Sequence, residues 1–206
     1  LHLKLAKLLY YADRASEAFV QAHSAFDLAR ELNDKNNEAN VRKALGDLSL
    51  REDELAAAHQ WYESALPIYQ AIGARLGEAN VRKALGDLSL REDDLPFARL
   101  CVSQALKIYT EISDKNGEAN CYLLRGRIDK DNAQFEKAIE LHAKIQYKHS
   151  VAIDHFYYGL ALSDKGQKRE GAEQMAQARD IWQRLGMPLD AKRAEQQRQR
   201  MAAQAS

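Results

Sequence analysis

The chain has 206 residues, 46 % hydrophobic and 29 % charged, with only ten Gly and three Pro. Length allows one or two globular domains, and so little turn chemistry argues against a many-stranded sheet. Thirty basic and thirty acidic residues cancel, which leaves no global field to steer the chain onto nucleic acid or an anionic membrane.

Starting at Leu1 and not at Met, the sequence is expected to be a piece of a longer chain. Its first stretch, LHLKLAKLLYYADRAS, has Lys4 and Lys7 breaking the apolar run, so it reads as the first helix of a first helical unit and not as a signal peptide. No apolar run approaches the roughly 20 residues that span a bilayer. Ala15, Ala18, Ala22, Ala25, Ala29 and Leu32 follow at steps of three and four, one face of a second helix.

Residues 38–53 spell EANVRKALGDLSLRED, and residues 78–93 spell it again. Shifted by forty, residues 38–77 match 78–117 at 24 of 40 positions, and GEAN recurs from Gly117. The duplicated block is therefore part of a longer array, and a period of that length points to a solenoid. Within each copy Val41, Ala44, Leu45 and Leu48 mark a first helix. Leu55, Ala58, Tyr62, Ala65, Tyr69 and Ile72 mark a second, repeated as Leu95, Ala98, Val102, Ala105, Tyr109 and Ile112. Small residues alternating with large ones let neighbouring helices approach closely and interlock. Asp53 and Asp93 are placed to cap the second helices, Pro96 sits in a first turn, and Pro67 is expected to kink its helix. Further on, NAQFEKAIE at 132–140 begins another second helix, and Lys168, Gly171, Met175, Ala178, Trp182 and Leu185 form the last stripe. The closing DAKRAEQQRQRMAAQ is polar, as a cap over a final apolar face requires, and its few basic residues lack interleaved aromatics.

Gly46, Gly86, Gly126 and Gly159, each followed twelve residues later by Ala58, Ala98, Ala138 or Gly171, resemble the small-residue pairs of tetratricopeptide repeats. Ala65, Ala105 and Ala178 match the next small position, and Leu45 and Leu85 the leucine before the glycine; Ala6, Ala18 and Ala25 are the first-unit equivalents. The resemblance covers essentially the whole chain and is closest to the long repeats of kinesin light chains and bacterial signalling ATPases. Ser49 and Ser89 stand where an aromatic is common, and Arg125 replaces the leucine before Gly126. The resemblance implies an all-α, right-handed superhelical solenoid of antiparallel helix pairs. Repeats would fall at about 1–37, 38–77, 78–117, 118–149 and 150–186, the fourth shortened because Gly126 and Gly159 are only 33 apart, with a capping helix over 187–206.

No phosphate-binding loop, dinucleotide fingerprint, zincin motif or nucleophile elbow is present, and no catalytic residue, cofactor or metal is assigned. The nearest cluster of ligand types is His142, His149, Asp154 and His155, at spacing too irregular for a metal site. Cys101 and Cys121 form no CxxC pair and read as core thiols of a cytoplasmic protein.

The remaining face of each first helix is the candidate site. With the apolar stripe inside, Asn40, Lys43, Asp47, Leu50 and Arg51 share a neighbouring face, repeated as Asn80, Lys83, Asp87, Leu90 and Arg91. The third copy gives Asn120, Leu123, Arg127, Lys130 and Asp131, and the fifth unit Ile153, Phe156 and Leu160. In the resembling family, first helices line a concave surface that binds extended peptides, so the asparagines become rungs able to donate to and accept from a peptide backbone. Leu50, Leu90 and Phe156 would add apolar contact. A blander reading stands beside it: Lys43–Asp47 and Asp47–Arg51 are i,i+4 pairs that solubilise a helix, and Asn40, in the first turn, serves its own backbone. The function expected is a protein-interaction scaffold for a peptide or partner segment, without enzymatic activity and without nucleic-acid or membrane binding. The alternative is a sensor or oligomerisation arm that touches other domains of a longer signalling chain.

Overall fold

The structure is a computed structural model; it describes residues 15–204 together with His2 and Lys4. Among the described residues ten α-helices follow one another: α1 (Ala15–Glu31), α2 (Lys35–Arg51), α3 (Leu55–Ala71), α4 (Arg75–Arg91), α5 (Leu95–Glu111), α6 (Lys115–Asp129), α7 (Asn132–Lys144), α8 (Lys148–Asp164), α9 (Lys168–Arg184) and α10 (Pro188–Gln204). No strand occurs among the described residues. The helix expected at the start of the first unit, with Ala6, lies outside them.

The connections explain the regularity. Between these helices every link but one is three residues long, and its middle residue has a positive φ: Asn33, Asp53, Gly73, Asp93, Ser113, Gln146, Gly166 and Gly186. A left-handed residue just past a helix lets the following N–H reach back to an orphan carbonyl. Glu54 N donates to Ser49 O at 2.8 Å and Asp94 N to Ser89 O at 2.9 Å in this way. Asp53 and Asp93, expected as caps, are thus the turn residues themselves, a conformation Asp tolerates. The cap position falls one residue later. Asp94 accepts from Phe97 N at 3.1 Å, whereas Glu54 makes no side-chain cap. Pro96 sits in the first turn of α5, and α3 runs through Pro67 as a single element.

The chain divides into two compact units, Leu1–Ile112 and Ser113–Ser206. In the first, α1 to α5 pack each on the next and α2 also touches α4; in the second, α6 to α10 do the same and α6 touches α8. Fully buried Ala58, Ala65, Ala98 and Ala105 sit where helices cross in the first unit, around Tyr62, Tyr69, Leu85 and Leu88. The second unit is built on Phe135 stacked against Tyr158 at 5.2 Å and on Phe156, Met175 and Trp182. The shortened pair is α6 with 15 residues and α7 with 13, against 17 in the other described helices. Its hairpin has two residues, Lys130 in the left-handed region and Asp131 as N-cap. Helix α10 closes the last apolar face with Ala191, Ala194 and Met201. Among the described residues no helix is long and apolar enough to cross a membrane.

Candidate peptide groove

The first helices are fixed at their N-termini by a device that recurs every forty residues. Glu38, Glu78 and Glu118 are buried in the opening turns of α2, α4 and α6, where a carboxylate faces the positive end of the helix dipole. Each bonds the cation three residues earlier: Lys35 at 2.9 Å, Arg75 at 2.7 Å and Lys115 at 2.7 Å. Arg42 and Arg82 add a second partner to Glu38 and Glu78 at 2.7 and 2.9 Å. The Lys35 hydrogen bond, helped by Arg42 against the cost of burial, holds the Glu38 carboxyl below its usual range. At Glu78 burial is the largest single influence and pushes upward, yet Arg82, Gln70 and Arg75 together outweigh it and the net shift is downward. Hydrophobic periodicity gives these glutamates no role, although their recurrence beside Asn40, Asn80 and Asn120 is plain in the repeated EAN.

Asn40 and Asn80 are held alike. Each Oδ1 accepts a hydrogen bond of 2.8 Å from a tyrosine hydroxyl 29 residues later, Tyr69 and Tyr109. Burial, and then the charge of Asp47, pushes the Tyr69 hydroxyl up to about 12, so it remains a neutral donor. The two Nδ2 groups make no bond among the described residues, so each amide keeps its donor side unused. The 29-residue spacing is visible in the sequence, where both tyrosines count only as core. Asn40 lies in the second turn of α2 and not the first. Asn120 differs: its Nδ2 donates to Asn116 O at 2.9 Å. The register that supplies Tyr69 and Tyr109 reaches exposed His149 here, because α7 is too short to carry it.

The charged positions are satisfied locally. Lys43 Nζ lies 2.5 Å from Asp47 Oδ2, and Asp47 Oδ1 accepts from Tyr62 at 2.9 Å. Lys83 and Asp87 are half-buried, and Arg51 and Arg91 exposed. Arg91 donates to Leu50 O at 3.0 Å, tying α4 to the end of α2. Arg127 lies over the Tyr157 ring, 4.5 Å from its centroid.

Three apolar members of the expected ladder are core residues. Leu50 is 9 % exposed, Leu123 8 % and Phe156 4 %. A first helix inside an array is covered by its own hairpin partner and by the next first helix, so two faces are buried where the sequence pattern displays one. Leu90 is half-buried, as are Ile153 and Leu160, which pack on the second unit's core. Lys130 and Asp131 leave the ladder because α6 ends at Asp129; Lys130 pairs with Asp164 at 3.1 Å and Asp131 caps α7.

Asn40 and Asn80 nevertheless border one open pocket of about 470 Å³, with Lys43, Tyr69, Arg75 and Leu76 on its walls. Elsewhere the polar clusters are closed. His142 Nδ1 lies 2.7 Å from Asp154 Oδ2 with both side chains fully buried, and burial raises the Asp154 carboxyl despite the attraction of His142. His155 bonds Gln174 at 2.7 Å and His149 is exposed. Among the described residues no three His, Cys, Asp or Glu converge on a metal position. Both thiols are buried, and desolvation pushes Cys101 up to about 11, the state of an inert core cysteine.

No family model matches this sequence, and no curated protein matches it. Solved structures do. The chain superposes with a TM-score of 0.75 on a signal transduction ATPase with numerous domains (STAND) from Pyrococcus horikoshii that carries a tetratricopeptide repeat sensor. Identity is 14 % over 95 % of this chain and 31 % of that one, so the chain spans less than a third of that protein. The apo form of RapI matches with a TM-score of 0.68 and 13 % identity over 98 % of this chain and 82 % of the other. The nearly identical TPR-like repeats of a putative kinesin light chain from Podosopora anserina match with 0.62 and 14 % identity, over 90 % of this chain and 94 % of theirs. Helix pairs, left-handed three-residue turns and small residues at the crossings therefore give this chain the fold of the tetratricopeptide-repeat proteins, an all-α array of antiparallel helix pairs.

Proposed function

We propose that the chain is a protein-interaction scaffold whose first helices hold an extended peptide segment across Asn40 and Asn80. The supporting observation is the single open pocket that both asparagines border, each with its carbonyl pinned by a tyrosine and its amide donor unused. Pinning removes rotamer freedom before the ligand arrives, which lowers the entropic cost of binding. First helices spaced by one packing distance of roughly 8–10 Å, and a strand rise of about 3.3 Å per residue, put about three ligand residues between the rungs. Leu76, 51 % exposed on the pocket wall, and Leu90 supply the apolar contact. Lys43, Asp47, Lys83, Asp87, Arg51 and Arg91 set the polar rim, while Asn120 and Arg127 belong to the second unit and do not line this pocket. The ligand is a protein segment, with no nucleic acid, membrane, cofactor or catalytic step involved, and the setting is cytoplasmic.

A second reading is a sensor arm that contacts other domains of a longer chain. It draws on the match to the repeats of the STAND protein, of which this chain spans less than a third.

Selection of extended peptides from a display library on the immobilised chain, followed by titration, tests the first reading. Asn80→Ala and Tyr109→Phe both remove the Tyr109–Asn80 bond, but only the first removes the outward amide. Asn80→Ala is expected to weaken binding about 5- to 150-fold, the cost of one desolvated, unpaired peptide group, and Tyr109→Phe much less. Equal losses in the two variants, or selected peptides indifferent to both, would sink the groove.

A further inference from the structure

In α8, the first-turn carboxylate that locks α2, α4 and α6 is missing. The sequence register from α4 to α8 is 73 residues, so Lys148 stands where Arg75 does and Val151 where Glu78 does. The cation is retained and its partner has become a half-buried aliphatic residue. The same register places Arg184 at the position of Glu111, which in the first unit bridges to Arg75 at 2.5 Å. Gln70, which bonds Glu78 at 3.3 Å, is replaced by Ala143. Both carboxylates that hold Arg75 at the α3–α4–α5 junction are thus gone from the α7–α8–α9 junction, and one has become a cation.

The result is an open pocket of about 540 Å³ with Val151, Ile181, Leu185 and Ala143 on its walls and Lys148 and Arg184 beside them. Both cations are exposed and neither forms an ion pair among the described residues; Arg184 spends only its Nε, on Asp180 O at 3.1 Å. No carboxylate lines the cavity, and Asp180 itself is held by Arg179 at 2.7 Å.

We infer that this junction is a second docking site, selective for a partner-protein segment in which a carboxylate side chain lies next to an aliphatic one. Two cations flank an apolar wall, and the first unit shows at the same register what satisfies the cation that Lys148 replaces: Arg75 is held by the carboxylates of Glu78 and Glu111. The ligand's acid supplies the carboxylate that Lys148 and Arg184 lack, and its aliphatic neighbour covers Val151, Ile181 and Leu185. The volume lies within the range of sites that enclose a small ligand. Opposite charge gives selectivity and faster capture, both reduced by salt. The site is separate from the pocket between Asn40 and Asn80 and stands or falls without it.

The experiment is fluorescence titration of the full chain with an array of labelled, end-capped pentapeptides that permute Glu, Asp, Leu, Ile, Gln and Ser. Peptides with adjacent acidic and aliphatic residues are expected to bind, and their amide (Gln for Glu) or Ser-for-Leu counterparts to bind about tenfold more weakly. Val151→Glu recreates the Lys115–Glu118 arrangement and Arg184→Glu the first unit's bridge, so both variants keep pairings the fold already uses. Each should abolish binding of the acidic–aliphatic peptides while melting at or above the parent temperature. Asn80→Ala should leave this binding intact, which separates the two sites. The proposal is overturned if no acidic–aliphatic peptide in the array binds, if the amide counterparts bind equally, or if Val151→Glu and Arg184→Glu bind like the parent. Equal competition by decanoate would assign the pocket to a lipid-like anion instead, and by acetate to a simple anion site, and either result rejects a peptide partner.

Discussion

Helices α2 and α4 carry most of the sixteen-residue block repeated at 38–53 and 78–93, yet they are not held in the same way. A side chain added at Gly46 would meet the Tyr62 ring at 2.5 Å; one at Gly86 would meet a Val102 methyl at 2.7 Å. Asp47 receives the Tyr62 hydroxyl at 2.9 Å, a bond that valine cannot make in the next pair. Leu50 is buried while Leu90 is half-buried. Identity of one helix therefore does not make a repeat identical, because the second helix decides what the first one feels. The second unit extends the contrast. There Gly159 and Gly171 oppose each other so closely that a Cβ on either meets the other's backbone oxygen, at 2.9 and 2.8 Å.

The largest effect should come from that last crossing. Gly171→Ala places a methyl against backbone, which cannot rotate away, and about 3 kcal/mol of stability should be lost even after alanine's helix preference is credited. Gly46→Ala, against a tyrosine ring, should cost about 1–3 kcal/mol, and Gly86→Ala, against one valine methyl, the least of the three. Chemical denaturation with hydrogen exchange resolved by unit reads the order. Equal losses at Gly171 and Gly86 would mean that the crossings adapt alike.

Next comes an exchange of second-helix identity. Tyr62→Val gives the first pair the residue of the next and should cost about 2–4 kcal/mol in lost packing, with Asp47 left to Lys43 alone. Were identical first helices interchangeable in their settings, the substitution would be close to neutral.

Buried Glu38 and Glu78 in the first unit and buried Asp154 in the second shift in opposite directions. Glu38 and Glu78 titrate below their usual value of 4.5, so the stability they contribute is complete above that pH and is lost as pH falls through their lowered folded values. Glu78→Gln should remove part of the acid-induced loss in the first unit and cost about 1–3 kcal/mol at neutral pH, since Arg75 and Arg82 lose a charged acceptor. Asp154 in the second unit is raised above 3.8, chiefly by burial, so its ionisation opposes folding above its folded value and that penalty fades as pH falls toward 3.8. Asp154→Asn should therefore flatten a pH dependence of opposite slope. Acid unfolding of Glu78→Gln and Asp154→Asn, each against the parent, checks both, and changes of slope in the same direction would contradict the assignment.

Much of this was legible in the letters and some was not, for physical reasons. Helix pairs, the alanine crossings and the shortened pair follow from periodicity, because each reports one face of one helix. Burial of Leu50, Leu123 and Phe156 does not, since it depends on a neighbour a full repeat away. The caps slipped from Asp53 and Asp93 to the following position because a propensity for capping and a tolerance of left-handed φ belong to the same residue type. The repeat marks Asn40 and Asn80 as rungs, but their tyrosine clamps are hidden inside the apolar stripe. A residue that is both core and donor is counted once when only hydrophobicity is read.

The smallest effect tests that clamp. Tyr109 is buried and its hydroxyl donates to half-buried Asn80. Tyr109→Phe removes the donor and leaves an amide that reaches water, so the loss should stay near the net value of one hydrogen bond, about 0.5–1.5 kcal/mol. Asn80→Ala instead takes its acceptor from a buried hydroxyl, and the cost should rise to about 1–3 kcal/mol. The asparagine is thus not free to mutate without effect on folding, as exposure alone would suggest. The same pair of changes at Tyr69 and Asn40 should reproduce the ordering, since the geometry there is the same at 2.8 Å. Thermal melts of the four single variants and the two double variants give the coupling directly. A coupling near zero at both rungs would show that the tyrosines do not hold the asparagines, and the rungs would then be ordinary solvated residues.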